Sequence, residues 1–408
     1  VATPNLVVVI DFSSGATFGY PFILDQGILG TNTLAEPDAL TVDVSNQVNK
    51  VSIRRGYNLL QEEFQAGIAT VRILDQNGDW NPTNPSSPYF GKLVPLRKVR
   101  ISANEEFLFS GYTTTYNYTW DKEQNIGYVD IQLADAFRLL NMSNITTVTG
   151  ATAGETTGSR ITDILNTIGF PTSMRNIQAG STTVQADPGT ARTSLQAIKN
   201  MEFSEQGAFY ILPSGNAEFL SRATIQSKSG VNPTFFSNDG TGISYRNIVT
   251  ALDDKLIINQ TSITRAGSSN PQVANNTASQ IKYFPHSYTA TDLLVQTDAQ
   301  ALDIAQAYTA TRAETTLRVD ALTLDLNTAD YAAGTTAALT LDFFDTIRVK
   351  NVGQDGTIID KTLQCMGVSH EITPGTWNTT FVTSEPIIDS FIIGSSLYGI
   401  IGTSVMTY

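Results

Sequence analysis

Apolar and polar residues alternate over short stretches along most of the chain, and a period of two predicts strands. LVVVI at 6–10 and residues 47–53 are two such stretches, the second followed by the charged turn Arg54-Arg55-Gly56. The run 66–74 (AGIATVRIL) sets Ala66, Ile68 and Leu74 on one face and Ala69, Val71 and Ile73 on the other, a strand covered on both sides. It stops at DQNGDWNPTNPSSPYFG, residues 75–91, whose three prolines and two glycines read as an ordered loop. Trp80 within it is expected to be buried, with no catalytic role. Short strands at 99–101, 108–112 and 128–133 make this first block all-β, in the manner of a small barrel.

The texture changes at ATAGETTGS, 151–159. Ser159 is placed to cap a helix carrying Ile161, Ile164, Leu165 and Ile168 and ended by Gly169 and Pro171, and Thr193 or Ser194 a second with Leu195, Ile198 and Met201. AFYILPSGNAEFLSR, 208–222, reads as a hairpin around Pro213–Asn216. A strand is expected over 255–263, then a soft loop over 266–279. Thr297 and Gln300 form a capping box before Ala301, Ile304, Ala305 and Tyr308, predicting a helix over 298–312. In TLRVDALTLDL the apolar phase runs on Leu317 and Val319, then slips to Leu322, Leu324 and Leu326; a β-bulge or a turn between two strands produces that slip. Strands at 346–350, 359–372 and 376–383 complete a second β block.

The organisation expected is an N-terminal β domain with an extension at 1–150, an α+β domain at 151–245, a second β domain at 246–390 and an apolar extension at 391–408. No short repeat period is present, but two strand-rich blocks flanking an α+β block leave open that they are related. The fold class expected is mainly β with α+β insertions. FIIGSSLYGIIGTSV at 391–405 is too short and too broken to span a bilayer and is expected to be covered, by a neighbouring protein or by its own subunit.

Charge narrows the partners. The 408 residues carry 25 basic and 38 acidic side chains, a formal net of -13, which opposes broad binding to nucleic acid or anionic membrane. No charged segment followed by an apolar core opens the sequence. One cysteine and two histidines exclude disulfides within the chain, cysteine zinc sites and three-histidine metal sites. The carboxylate pairs Glu62-Glu63, Asp75 with Asp79, Glu105-Glu106 and Asp253-Asp254 read as solvated turn charges, and Asp75, Asn77 and Asp79 lack the spacing of a calcium loop. Strict alternation puts Cys365 and His370 on opposite faces, so Cys365 reads as a core residue and His370 as structural. His286, beside Pro285, Tyr283 and Tyr288, reads as a packed loop residue. No catalytic, cofactor-binding or metal-binding residue is assigned, and the chain is not expected to be an enzyme. Tyr112, Tyr116, Tyr118 and Trp120 share one face of a ribbon, for cross-strand packing, subunit contact or glycan stacking. Lys92, Arg97, Lys98 and Arg100, with Arg54 and Arg55, are either scattered solvated charges or a patch for an acidic neighbour.

Residues 52–101 followed by LFSGY at 108–112 resemble the N-terminal domain of minor tail proteins of long-tailed bacteriophages. The matching elements run in order: Arg54-Arg55-Gly56, Phe64 to Gly67, Asp75 to Asn84, Gly91 to Arg100 and Phe109 to Tyr112. VSHEITPGTWNTTF, 368–381, is similar to the closing hairpin of tail hub proteins through His370, Pro374, Gly375, Trp377 and Phe381. The resemblance implies a structural virion protein, a tail-tip or baseplate hub with two tube-forming, barrel-like β domains side by side around a channel. It further implies a homotrimer that joins a six-fold tail tube to three-fold fibres or a spike, without cofactor or membrane association. The partners implied are the tail tube or distal tail protein, the tape-measure protein, fibre or spike proteins, and genomic DNA passing without sequence-specific binding. A distal tail adaptor ring, a fibre-attachment minor tail protein and a carbohydrate-binding or wall-hydrolase tail component are the alternatives.

Overall fold

The computed structural model describes residues 4–13, 15–19, 40–58, 63–123, 125–229, 232–327 and 331–386. The apolar extension at 391–408, most of the N-terminal extension and Glu62 lie outside the described residues.

The first β block contains β1 (Leu6–Asp11), β2 (Thr41–Asp43), β3 (Val48–Asn58), β4 (Glu63–Phe64), β5 (Ile68–Asp75), β6 (Lys98–Ala103), β7 (Glu106–Asp121) and β8 (Ile126–Ala134). The middle contains α1 (Phe137–Met142), β9 (Asn144–Ile145), α2 (Thr157–Thr167), β10 (Arg175–Ile177), β11 (Arg192–Thr193), α3 (Ser194–Glu205), β12 (Ala208–Ile211), β13 (Ala217–Leu220), α4 (Arg222–Lys228) and β14 (Thr234–Ser237). After β15 (Asn247–Ala251) comes a small module of β16 (Gln260–Arg265), β17 (Gln272–Asn275), α5 (Thr277–Tyr283), β18 (Ser287–Leu293) and α6 (Asp298–Thr311). The last block holds β19 (Arg318–Asp325), α7 (Tyr331–Thr340), β20 (Thr346–Val352), β21 (Ile358–Thr373) and β22 (Thr376–Ser384).

Fourteen of these strands form one sheet, in the order β15-β19-β22-β21-β3-β5-β8-β7-β6-β1-β2, with β20 and β14 branching from β21 and β4 from β3. Neither block closes on itself by strand pairing among the described residues. One core cluster, from Val8 to Phe381, unites both blocks and the middle helices. The module around α6 has a separate small core of Ile263, Leu293, Val295 and Ile304.

Local chemistry explains most elements. Thr297 and Gln300 cap α6 reciprocally, as do Thr193 and Gln196 at α3. The cap of α2 is Thr156, not Ser159: the Thr156 hydroxyl accepts the Ser159 backbone N–H, so the helix starts earlier. The apolar slip near Val319 is a bulge and not a turn, because Thr250 pairs with Val319 while Val249 pairs with Ala321. Arg54-Arg55-Gly56 lies inside β3 and is no turn. The strand expected from 255 begins only at Gln260.

The loop after β5 is built on Asp75, which is buried and accepts the backbone N–H groups of Asp79 and Trp80 at 2.9 and 3.1 Å. Trp80 is fully buried beside Phe12 and Tyr89, its indole N–H donating to Gln47 Oε1 at 2.9 Å.

Candidate functional site: a doubled unit and its seam

Five strands of each block follow one plan. In the first the order is β3-β5-β8-β7-β6, in the second β15-β19-β22-β21-β20, and each set is connected in the same sequence along the chain. The likeness extends to single residues. The β7–β8 hairpin carries an extra residue, Thr114, between the pairs Thr113–Leu133 and Thr115–Gln132. The β21–β22 hairpin carries Met366 between Cys365–Thr383 and Gly367–Val382. From the bulge to the last pair is six positions in both, Thr115 to Asp121 and Gly367 to Thr373. On the other side of the bulge, Lys98, Val99 and Arg100 pair with Tyr112, Gly111 and Ser110 as Thr346, Ile347 and Arg348 pair with Gln364, Leu363 and Thr362. The chain thus contains one five-strand unit twice, in a shared register.

The two units meet along β3 and β21, antiparallel from Val51–Ile372 to Gly56–Gly367. The backbones touch at the glycine pair, where a Cβ on Gly56 would lie 2.8 Å from Gly367 Cα. Arg55 is buried at this seam and fastens three parts of the chain. It donates to both Asp342 oxygens at 3.1 and 3.3 Å and to the Ile211 carbonyl at 3.0 Å, and lies over the Phe343 ring. On the opposite face Ser52 donates to Glu371, which also meets Lys50 at 3.4 Å. Asp135, just beyond β8, accepts the N–H groups of Gly67 and Phe137 at 2.6 and 2.9 Å. Burial pushes its carboxyl up to about 7, against those bonds and the nearby charges of Arg55 and Lys199.

The bulge at Met366 corrects the expectation for the cysteine and the histidine. With one residue extra, Cys365 and His370 fall on the same, inward face. They serve different contacts. Cys365 is fully buried, its thiol pKa raised by burial and its Sγ directed to the Gly367 carbonyl. His370 stands edge-on to Trp377, and its Nδ1 takes the Trp377 indole N–H at 3.3 Å and faces the Thr379 hydroxyl at 3.0 Å. Burial, helped by Arg55, lowers its pKa to about 3, so the ring is neutral and Nδ1 an acceptor.

The Thr114 bulge likewise separates Tyr112 from the other aromatics. Tyr112 is buried and donates to the Thr17 carbonyl at 3.0 Å, whereas Tyr116, Tyr118 and Trp120 share the other face. The basic cluster divides: Arg55, Lys98 and Arg100 are buried, whereas Lys92 and Arg54 are exposed. Lys98 donates to the Thr17 hydroxyl at 2.7 Å, and burial lowers its pKa to about 8. Asp253 pairs with Arg318 at 3.0 Å, and His286 Nε2 lies 3.1 Å from the Tyr283 carbonyl.

A cavity of about 230 Å³ opens between α3, α6 and the seam, lined by Tyr57, Phe64, Glu202, Tyr308, Arg312 and Phe344 among others. Glu202 pairs with Lys199 at 2.7 Å, and Lys199 donates to the Phe64 carbonyl at 2.8 Å, so these charges support the walls. Burial holds the Tyr57 and Tyr308 hydroxyls protonated. Among the described residues no group of three or more His, Cys, Asp or Glu side chains is placed to hold a metal, and no helix is long and apolar enough to cross a membrane.

No family model and no curated protein matches the sequence. The fold does have solved counterparts. The 43 kDa tail protein of prophage MuSo2 from Shewanella oneidensis superposes with a TM-score of 0.58 at 11% identity, over 94% of this chain and 97% of that one. A tail protein from Neisseria meningitidis MC58 gives 0.57 at 11% identity, over 95% and 98%. The mainly β architecture described above is therefore a phage tail protein fold, as the sequence resemblance implied.

Proposed function

We propose that this protein is a structural, non-enzymatic component of a phage tail: a hub at the distal end that closes the tail tube and connects it to fibres or a spike. The observation that carries this reading is the five-strand unit present twice in one chain, within a tail protein fold. Three copies in a ring present six similar units upward and three whole chains downward, which matches a six-fold tube to a three-fold appendage. The inward chemistry supports a scaffold role, since Cys365 and His370 are buried and engaged in packing contacts. The partners proposed are the last tube or distal tail ring, the tape-measure protein and the fibre or spike, with DNA passing through an acidic ring without adhesion.

Native mass measurement on the purified chain, together with imaging of virions carrying a tagged copy, tests the reading. A trimer and density at the tail end are expected. A hexamer favours a distal adaptor ring, and density along the tube or in the head ends the hub reading.

A further inference from the structure

We infer that copies of this chain join head to tail through a second seam, in which β15 of one copy pairs with the outer half of β7 of the next. The inference deepens the ring reading above and rests on it. Its basis is the doubled unit. Within a chain, the first strand of one unit, β3, lies along the outer half of β21, residues 367–372, beyond the stretch where β20 ends. The equivalent slot in the first unit is the outer half of β7, residues 115–121. Its inner half is taken by β6, and among the described residues no strand lies along the outer half on that edge. The equivalent of β3 in the second unit is β15, which among the described residues pairs with β19 alone and forms the far edge of the sheet. One chain therefore displays an open slot and the strand that fits it, at opposite ends of the sheet. A heterologous contact of that kind makes a ring when its rotation closes.

The register follows from the internal seam. Lys50 and Asn247 occupy equivalent positions, since they pair with Arg72 and Thr323, which in turn pair with Asp130 and Thr380. Val51 through Arg55 then correspond to Ile248 through Leu252, and Tyr116 through Trp120 to Val368 through Ile372. The internal pairs Val51–Ile372, Ser52–Glu371 and Arg55–Val368 become Ile248–Trp120, Val249–Thr119 and Leu252–Tyr116 between copies.

Exposure agrees with this geometry. Ile372 and Arg55, on the two strands of the internal seam, are 5% and 7% exposed, while their equivalents Trp120 and Leu252 are 49% and 66% exposed. Val249, on the other face of β15, is 45% exposed. Large apolar side chains on open strand edges invite strand addition, and here the two edges complement each other.

The test uses the full chain with Thr119→Cys and Val249→Cys together, oxidised and run on a non-reducing gel. The native Cys365 is buried and stays silent. Ser52→Cys with Glu371→Cys is the internal control and links within one chain. The expected result is a ladder of covalent oligomers ending in a closed species of three chains, with neither single-cysteine variant going beyond a dimer. Leu252→Asp should shift the native mass to one chain with an unchanged circular dichroism spectrum. If the control closes and no interchain ladder forms, the second seam is wrong. Native mass then separates the outcomes: a trimer leaves the hub reading standing with another interface, and a monomer takes both down.

Discussion

The two units keep one backbone plan and fill it with different side chains. In the second unit Trp377 is fully buried against His370; in the first the equivalent positions are Gly127 and Tyr118. A Cβ on Gly127 would lie 2.5 Å from the Tyr118 hydroxyl, so the tyrosine occupies room that the tryptophan takes elsewhere. Arg72 and Asp130 form a bidentate ion pair at 2.7 and 2.8 Å where Thr323 and Thr380 share a hydroxyl contact at 2.9 Å. The connection between the first two strands holds β4 in one unit and the α6 module in the other. Strand order and the bulge in β7 and β21 are kept, whereas the side chains that fill equivalent positions differ.

Substitutions at equivalent positions sharpen this comparison. Trp377→Ala empties the larger filling and should cost about 3–5 kcal/mol in chemical denaturation. Tyr118→Ala, at a half-buried position, should cost much less, and equal losses would show that the smaller filling contributes as much as the larger. Arg55→Ala strikes the seam. Losing one partner of a fully buried ion pair costs about 3–5 kcal/mol, and Asp342 keeps some solvent contact, so about 2 kcal/mol is expected. A loss below about 0.5 kcal/mol would remove Arg55 as the fastening between units.

The units should also answer pH in opposite senses. Asp135, at the end of the first unit, has its pKa raised from 3.8 to about 7, mainly by burial. Between those values the folded chain holds a proton that the unfolded chain has released, so this group makes stability fall as pH rises through the window. His370, in the second unit, is lowered from 6.5 to about 3 by burial. The unfolded chain binds the extra proton there, so this group makes stability fall as pH drops below 6.5. Melting curves from pH 4 to 8 should lose the first slope in Asp135→Asn and the second in His370→Gln. An unchanged profile in either variant refutes that assignment. Smaller effects belong to the gaps. Gly127→Ala should cost about 1–2 kcal/mol by crowding Tyr118, and Tyr118→Phe in the same chain should recover part of it. Arg72→Ala should cost under about 1 kcal/mol, because the pair is partly solvated.

Local signals in the sequence found many elements. The phase slip at Val319, the capping box at Thr297 and the proline-rich loop around Trp80 are each determined within a dozen residues, and each is present. The tail protein resemblance rested on ordered local motifs of the same kind. What depends on distant partners was hidden. Arg54-Arg55-Gly56 reads as a turn until Asp342 and Gly367 are placed beside it. Strict alternation separated Cys365 from His370 because a bulge is set by the facing strand. β15, as NIVTA after a Ser/Gly/Asn-rich stretch, is too short and polar to announce itself, and α7, YAAGTTAALT, lacks an amphipathic stripe. The relation of the two blocks stays open in the sequence because equivalent positions hold Gly127 and Trp377, or Trp120 and Ile372, and the pairing register is what establishes it.

The internal seam also sets a clock on synthesis. Ser52 and Glu371 meet across 319 positions, so β3 leaves the ribosome long before the strand it will lie against exists. At about 5–20 residues per second, that interval is roughly 15–60 s. Throughout it β3 is a bare edge, open to whatever strand a neighbouring nascent chain offers. Lys50 and Arg54, exposed on that edge in the finished protein, are the kind of charges that discourage such pairing. Pairing across the internal seam therefore waits until a chain is nearly complete, and truncated products, which lack β21, are left without the fastening that makes two units one body.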